Sequence, residues 1–477
     1  MDQAPSDVLI LEPGQLPPSG TLLPPRTPRW HDTLAYIANP DQFCRTHLAQ
    51  YGPIFRTGVF GGTTVFLGSS RAIQMVFNGD TRYTEIGLPA TTMAMFGEYS
   101  LFQRPDLHRQ RKSALRPAFT GTMLAGYLPH LHRVIEQHLQ TWNTTSPIAL
   151  VPLVEQVCFD ALVPLLLGIR LDQDETIAVA SLPIRSKADL KRLYKTFFDG
   201  FYGLVKWRSP LTAFGRGQQA RSRLLEFMRS VIQQRRTAPN PLEPTADFLS
   251  MMLANQQNDP TGIFSNALIE NQCLLQLWAS HYEITGLVAS WIYQLGQHPE
   301  WIEALRAEQS CVLAPLSNLS QVSSEHLRAM TTLEATIKET LRLLPPTSTA
   351  NRRLTCSIVL DGTLYPKGWT LIAEPRIAHR QAAYFANPDR FDPERFLPPR
   401  NEGKMYEFIP FGGGVHACLG AQLAMTMTKV FVIHLLHQFD WTLLGEAQFV
   451  QFPLKIIRNN YQIQLKSTIR HHPTSVT

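Results

Sequence analysis

The feature that most constrains the fold is a long, rather apolar segment at residues 266–294, which predicts one continuous helix. At about 1.5 Å per residue, such a helix spans roughly 40 Å, enough to cross a whole domain. Helical periodicity covers most of residues 107–300, is clearest at 128–142, and returns at 300–309, 324–344 and 421–438. Short strand-like segments occupy 54–58, 63–67, 357–359, 370–373, 454–456 and 461–465, the first two joined as a hairpin through Gly61 and Gly62. The pattern predicts a mainly α fold with small β-sheets.

Chain length alone favours two or three domains, because 477 residues exceed the usual size of one. However, few glycine- or serine-rich linkers separate the predicted elements. Seven of the 35 prolines lie between Pro5 and Pro28, and such a segment favours an extended arm outside the core. We therefore expect an arm at residues 1–30 and a single large domain at 31–477.

Charge and cysteine content narrow the range of partners and compartments. Lys and Arg exceed Asp and Glu by six, which suits docking to an acidic partner, whereas no basic block is dense enough for nucleic acid. The six cysteines are scattered without a CxxC pair, which favours a reducing compartment without structural disulfides. No run of 18 apolar residues occurs, so we expect no membrane span and a cytoplasmic location, with loose membrane contact left open.

One short loop carries the strongest chemical signal. Residues 411–420 are Phe-Gly-Gly-Gly-Val-His-Ala-Cys-Leu-Gly and lead directly into the predicted helix at 421–438. A helix N-terminus and nearby backbone N–H groups stabilise a thiolate, and glycines let a loop lie flat against a planar macrocycle. A phosphate-binding loop is disfavoured because no Lys-Ser/Thr follows, and zinc would need more ligands than His416 and Cys418. The pattern therefore favours Cys418 as a metal-binding thiolate, while the other five cysteines are more simply buried apolar residues.

This loop resembles the cytochrome P450 signature Phe-x-x-Gly-x-(Arg/His)-x-Cys-x-Gly at every fixed position. The resemblance extends from about residue 32 to the C-terminus. Within the family, the sequence looks most similar to the cyanobacterial branch related to retinoic-acid hydroxylases. It implies a haem b group between the long central helix and the helix after the cysteine loop, with Cys418 as the axial iron ligand. Phe411 would shield the sulfur, Gly420 would let the loop approach the haem, and His416 would contact a haem propionate.

A second motif concerns the support of this loop. Glu339 and Arg342 are three residues apart on a predicted helix, so their side chains are neighbours, and Arg395 lies in a Pro-Glu-Arg-Phe segment. In isolation the first two could form an ordinary solvated pair. The resemblance implies instead a buried structural triad of the three residues.

Three further residues are candidates for haem contacts. The resemblance implies propionate contacts from His108 and from Lys112 four residues later, where the family has arginine. Because lysine lacks the planar fork of arginine, we expect a weaker or single contact there. Arg352 is an additional candidate for a propionate.

The central helix departs from the family pattern. The family has (Ala/Gly)-Gly-x-(Asp/Glu)-Thr-(Thr/Ser), whereas residues 279–285 are Ala-Ser-His-Tyr-Glu-Ile-Thr. With Ala279 at the first position, Tyr282 takes the place of the acid and Glu283 that of the threonine, which in the family helps deliver protons for O–O cleavage. Tyr282, Glu283 and Thr285 are therefore the candidate catalytic residues. A buried Glu283 would have a raised pKa and act as a proton donor, or it would point elsewhere and take no part; both hypotheses stay open here.

The resemblance implies a monooxygenase that hydroxylates an apolar substrate, such as a lipid, terpenoid or retinoid, with O2. No flavin or nicotinamide domain fits in the remaining sequence, so we expect a separate electron donor, a ferredoxin docking near Arg109 and Arg111. The pocket would be lined by residues 83–102, by residues 347–350 and by the aromatic residues at 197, 198, 201 and 202. Two alternatives are a peroxide-using or isomerising haem-thiolate enzyme, and a haem-binding sensor without turnover.

Overall fold

The computed structural model describes residues 7–27, 32–59, 62–102, 105–169, 184, 186–203, 205–237, 247–347, 350–450 and 454–468. Its helices are α1 (Asp32–Ala38), α2 (Pro40–Tyr51), α3 (Ser70–Asn78), α4 (Ala90–Phe96), α5 (Pro105–Leu115), α6 (Gly121–Gln140), α7 (Leu150–Leu167), α8 (Lys187–Gly200), α9 (Ala213–Thr237), α10 (Phe248–Gln257), α11 (Asn266–Gln297), α12 (Pro299–Leu313), α13 (Ser324–Ala329), α14 (Thr331–Leu343), α15 (Pro375–Ala378) and α16 (Ala421–Gln438). Its strands are β1 (Leu9–Leu11), β2 (Ile54–Thr57), β3 (Thr64–Leu67), β4 (Thr84–Ile86), β5 (Ile148–Ala149), β6 (Ala350–Leu354), β7 (Ser357–Leu360), β8 (Thr363–Tyr365), β9 (Thr370–Ala373), β10 (Phe439–Leu443), β11 (Phe449–Val450), β12 (Ile456–Ile457) and β13 (Gln462–Ser467).

The strands form small sheets at the edges of a helical body. The largest has the order β2-β3-β9-β6-β4, in which β2 and β3 pair antiparallel as the predicted hairpin and β3 and β9 run parallel. Three smaller sheets have the orders β1-β7-β8, β10-β13-β5 and β11-β12. The main hydrophobic core lies among the helices, and a second core lies between the largest sheet and α3.

Helix α11 is the axis of the helical body. It begins after Ser265, whose side chain caps the helix by accepting a hydrogen bond from the Leu268 amide at 3.2 Å. Helices α7, α9, α14 and α16 all pack against it. The mainly α fold with small sheets and one long central helix is therefore confirmed.

The predicted helix at 324–344 is two helices, α13 and α14, separated at Met330. The amides of Thr332 and Leu333 donate to the carboxylate of Glu308 at 2.6 and 2.9 Å. Because Glu308 belongs to α12, the cap that allows α14 to begin there comes from another helix, which a local pattern does not reveal.

Part of the proline-rich segment is packed against the domain. Strand β1 pairs with β7, with Leu9 opposite Val359, and Val8 and Leu11 are buried. The expectation of an arm outside the core therefore does not hold for these residues, because the edge of β7 offers unpaired backbone groups that a short strand can satisfy.

Among the described residues, α7 is the one helix whose length and apolar composition would allow it to cross a membrane. Its 18 residues have a mean hydropathy of 1.8, and 72% of them are buried inside the protein. It packs against α6, α10 and α11, as the core helix of a folded domain does.

Candidate haem site

The cysteine loop closes on itself just before α16. A short 3₁₀ turn occupies Gly414–His416, and the Cys418 amide donates to the Phe411 carbonyl at 2.8 Å. Cys418 is exposed, whereas Cys44, Cys158 and Cys273 are buried. Surrounding protein nevertheless raises the pKa of the Cys418 thiol, although the Gly420 amide and Lys112 act in the opposite direction. The sulfur is thus accessible at the bottom of a site that is otherwise enclosed by protein.

The glycines of the loop are required for two different reasons. A Cβ at Gly413 would lie 2.3 Å from the Phe77 ring, and one at Gly414 would lie 2.2 Å from the Phe77 carbonyl oxygen. These two glycines are therefore needed for packing against α3, a constraint that the sequence did not indicate. A Cβ added at Gly412, which has φ +68, or at Gly420 would meet no atom within 4 Å, so both of these glycines face open space.

Helix α5 is joined to the loop by two side chains. Lys112 Nζ donates to the carbonyls of Val415 and Ala417 at 2.7 and 2.5 Å. His108 Nε2 lies 3.0 Å from the same Val415 carbonyl, and its Nδ1 lies 2.6 Å from the Leu101 carbonyl. Burial lowers the pKa of His108, and a neutral imidazole has one N–H, so it donates to only one of these carbonyls at a time. In this structure both predicted propionate contacts hold the backbone of the loop.

A buried polar cluster lies beside His108. The His416 ring is 4.0 Å from the His108 ring, and its Nε2 lies 3.4 Å from Asp80 Oδ1 without hydrogen-bond geometry. Both ring nitrogens of His416 and the Nε of Arg352 are buried without a hydrogen-bond partner. Burial lowers the pKa of His416 to about 4 and that of Arg352 to about 10. Arg352 thus stays cationic, and the unpaired donors of Arg352 and His416 suit an anionic group. Asp80 also belongs to this cluster, and sequence reasoning missed it.

The central helix presents one face to the same site. Ala279 is exposed and Glu283 is partly exposed, although the residues on either side of this stretch are buried. A spacing of four places these two residues on one face of α11. Glu283 Oε2 is buried without a hydrogen-bond partner, and burial raises the pKa of its carboxyl to about 8. Its charge also helps to raise the pKa of Cys418, so the two groups are close enough to interact.

The other two catalytic candidates do not share this position. Thr285 is buried, donates to the His281 carbonyl at 2.7 Å and contacts the thiol of Cys158 on α7. It therefore faces α7, and the structure does not support it as a catalytic candidate, because the helix turns its side chain away from Cys418. Tyr282 packs on Phe198 with ring centroids 4.2 Å apart, and burial raises the pKa of its hydroxyl.

The predicted triad residues lie together, with side chains that are fully buried. Arg342 donates to both carboxylate oxygens of Glu339 at 2.6 and 2.8 Å, and Arg395 Nε donates to Glu339 at 3.1 Å. Arg395 also donates to Glu402 at 2.6 Å, a partner that the sequence pattern did not indicate. The Arg342 Nη1 group donates to two backbone carbonyls, those of residues 379 and 388. These bonds hold the irregular segment that precedes the cysteine loop.

Aromatic side chains packed around Trp278 of α11 form an aromatic wall beside this site. Trp278 stacks on Phe201 with ring centroids 4.3 Å apart and meets Phe96 edge-on at 5.0 Å. The predicted lining residues Phe197 and Phe201 are buried in this cluster, while residues 348 and 349 lie outside the described residues. Trp278 was not among the predicted lining residues, because an aromatic residue within a buried helix gives no signal that separates lining from core.

These residues fit a haem with a cysteine ligand. The fit rests on an accessible Cys418 opposite an exposed face of α11, on open space beside Gly420, and on unpaired buried donors of Arg352 and His416. The Cys418 thiol, whose pKa is raised, becomes a thiolate when a metal ion coordinates it, and the unpaired guanidinium N–H of Arg352 suits a carboxylate. The fold and site therefore define a protein of the haem-thiolate class.

Comparison with known proteins specifies the family. The Cytochrome P450 family model matches residues 23–467, and the chain belongs to this family. It is 29% identical over 441 residues to cytochrome P450 120 of Synechocystis sp., covering 91% of this chain and 94% of that protein. It is 27% identical over 421 residues to abscisic acid 8'-hydroxylase 2 of Arabidopsis thaliana, covering 87% and 83%. The solved structure of retinoic acid bound cyanobacterial CYP120A1 matches with a TM-score of 0.81 and 28% identity, covering 94% of this chain and 99% of that one.

Family membership confirms the predicted fold and enzyme class. The chain is a cytochrome P450 monooxygenase-type oxidoreductase with haem held by a cysteine thiolate. The resemblance to the cyanobacterial branch is likewise confirmed.

Proposed function

We propose that this chain hydroxylates an apolar substrate with O2, using haem b and electrons from a ferredoxin-type donor in the cytoplasm, with Glu283 as the proton donor. The observation that carries this proposal is the unpaired Glu283 carboxyl, with a pKa of about 8, on the face of α11 that is turned toward Cys418. The names of two similar proteins refer to retinoic acid and abscisic acid, both carboxylic acids on a largely hydrocarbon skeleton, which supports a substrate with an apolar body here.

The reaction consumes one O2, two electrons and two protons, and converts a C–H bond into C–OH with release of water. Bound haem supplies the activation of O2, and electron donation from the Cys418 thiolate favours O–O cleavage. At neutral pH most Glu283 side chains are protonated, since the pKa is about 8, so each can donate a proton directly into the site. The aromatic rings around Trp278 give this part of the site an apolar lining.

The surface for the electron donor is proposed on the exposed side of α5. Arg109 and, in the turn that follows, Arg116 are exposed. Arg111, by contrast, is partly buried and donates to the carbonyls of Glu98 and Ser100 at 2.8 Å each. We therefore keep Arg109, add the exposed Arg116 as a second docking residue, and assign Arg111 to holding the loop before α5.

Three variants test the role of Glu283. With ferredoxin, its reductase and NADPH, Glu283→Gln should lower the rate of product formation about 100-fold, within the range that general acids contribute. The double change Tyr282→Asp and Glu283→Thr restores the usual family residues and should raise the amount of product formed per electron. Glu303→Gln, on an exposed position of α12, is the matched control. Unchanged product per electron in both site variants would exclude Glu283 from oxygen chemistry.

A second function is favoured by the same carboxyl group. Hydrogen peroxide already carries the oxygen atom and is two electrons more reduced than O2, so RH and H2O2 give ROH and H2O without an electron donor. Glu283 could take a proton from one peroxide oxygen and return it to the other, as a general acid–base group does. Isotope labelling of each oxygen source separates the two functions. Label that passes from H2O2 to the product without reductase supports the peroxide reaction, whereas label that enters the product only from O2 supports the monooxygenase.

A further inference from the structure

A small pocket lined mainly by arginines lies between α2, the end of α14 and the segment that contains α15. The centre of a water-sized sphere can occupy about 10 Å³ inside it, which is room for one water molecule or one monatomic ion. Four of the six lining residues are arginines, so a negative ion suits this pocket better than a positive one. The lining residues are Asp41, Arg45, Arg342, Leu343, Arg376 and Arg380.

Two of these arginines share a single carboxylate. Arg45 Nη1 and Arg380 Nη1 both lie close to Asp389 Oδ1, at 2.8 and 2.6 Å. Burial, together with the positive charges of Arg45 and Arg342, lowers the pKa of Arg380 to about 10, so this residue stays cationic at neutral pH. Among the described residues, one of these two positive charges therefore has no carboxylate of its own.

Arg376 carries a donor that is left without a partner. Its side chain is only 3% exposed, and its Nε and Nη1 donate to Asp41 and Glu374 at 3.0 and 3.2 Å. Its Nη2 is buried and has no hydrogen-bond partner. The second carboxylate oxygen of Asp41 is already bonded to Lys455. Nη2 is therefore the group of Arg376 that a ligand in the pocket can use.

Another arginine of the same pocket shows that this lack of a partner is particular to Arg376. Arg342 is also buried, but its guanidinium donates to both carboxylate oxygens of Glu339 and to backbone carbonyls, so each of its nitrogens has a partner. A buried cationic donor without an acceptor is destabilising. An anion in contact with Arg376 Nη2 would accept its hydrogen bond and offset its charge at once.

We propose that this pocket binds one monatomic anion, chloride, which accepts from Arg376 Nη2 and lies between the positive charges of Arg45 and Arg380. Phosphate and sulfate carry four oxygens each and are too large for a space of about 10 Å³, so the pocket selects by size as well as by charge. The anion connects α2 with α15 and stabilises their contact. This inference is independent of the substrate and of the oxygen chemistry proposed above.

The first test is thermal unfolding of the haem-loaded protein while acetate is replaced by chloride at constant ionic strength. Acetate has the charge of chloride but is larger. Replacing about 200 mM acetate should raise the melting temperature by about 1–3 °C, and the gain should level off as the site fills, as for a ligand that binds only the folded state. An unchanged melting temperature would overturn the proposal.

The second test locates the ion directly. Crystals of the haem-loaded protein are soaked in bromide, which replaces chloride and can be identified by its anomalous scattering. A bromide peak should lie in contact with Arg376 Nη2 inside the pocket. A pocket that holds only water would overturn the proposal, and so would a bromide peak without the chloride effect on melting, since it would mean binding at crystal concentration only.

A pair of variants separates anion binding from a purely structural role. Asp389→Asn removes the carboxylate that neutralises Arg45 and Arg380, so it should tighten chloride binding, whereas Arg45→Gln should weaken it. Each change should be about 2- to 5-fold, as for partly exposed charges, and is read from the chloride concentration of half-maximal stabilisation. Arg71→Gln, which breaks an exposed pair with Asp361 outside the pocket, is the matched control and should leave the affinity unchanged.

The two variants remove opposite halves of one ion pair. A purely structural role of this pair predicts similar losses of stability in both variants and no change in the chloride concentration that they need. Shifts of the chloride affinity in the same direction, or no shift in either variant, would therefore assign these residues to structure alone and overturn the proposal.

Discussion

Replacing Glu283 with glutamine should remove an effect that destabilises the folded protein at alkaline pH. The carboxyl has a pKa of about 8 in the fold, because burial disfavours its charged form, against an ordinary value of 4.5. Above pH 4.5 the unfolded chain releases this proton while the folded protein keeps it. The unfolded state therefore becomes more favourable as pH rises towards 8, and the free energy of unfolding falls.

The magnitude follows from the size of this shift. At about 1.36 kcal/mol per pKa unit, a change from 4.5 to about 8 has an upper limit of roughly 5 kcal/mol. Glu283 is partly exposed to the site, and solvent reaching it reduces the effect. We expect about 2 kcal/mol between pH 5.5 and pH 8, allowing for this screening.

The assay is urea unfolding of the haem-loaded wild type and Glu283→Gln at several pH values in that range. The variant should gain about 2 kcal/mol of stability relative to the wild type as pH rises across this range. Glu303→Gln, at an exposed position, should show a constant difference. A constant difference for Glu283→Gln as well would mean that its carboxyl ionises normally, and Glu283 would then not be a protonated donor at neutral pH.

Two further predictions concern the support of the cysteine loop. Glu339→Gln leaves the buried Arg342 and Arg395 without their shared carboxylate, and it should lower the free energy of unfolding in urea by about 3–5 kcal/mol. The reduced variant should also lose the red-shifted carbon monoxide band. A decrease in unfolding free energy below about 1 kcal/mol would contradict this prediction. Gly414→Ala should lower the melting temperature more than Gly412→Ala, because both have positive φ but only the Cβ at 414 would meet the backbone of α3, at 2.2 Å. Equal melting temperatures for the two variants would show that backbone conformation, not contact with α3, is what requires glycine.

Local patterns along the chain determined much of this protein. The apolar spacing of residues 266–294 was sufficient to predict the central helix, because helical periodicity is a property of contiguous residues. The loop at 411–420 carried the family resemblance by itself, since its residues act within one short turn. Glu339 and Arg342 were also accessible to such reasoning, because residues three apart on a helix are neighbours.

Tertiary structure decided which distant groups meet. Gly414 is constrained by the backbone of α3, more than 300 positions earlier in the chain, and Lys112 donates to the carbonyls of the cysteine loop. Thr285 and Glu283 are two residues apart, yet the packing of α11 against α7 turns one away from the site and leaves the other in it. Sequence records spacing along one dimension, whereas burial, pairing and the pKa of a carboxyl depend on the segments that fold against it.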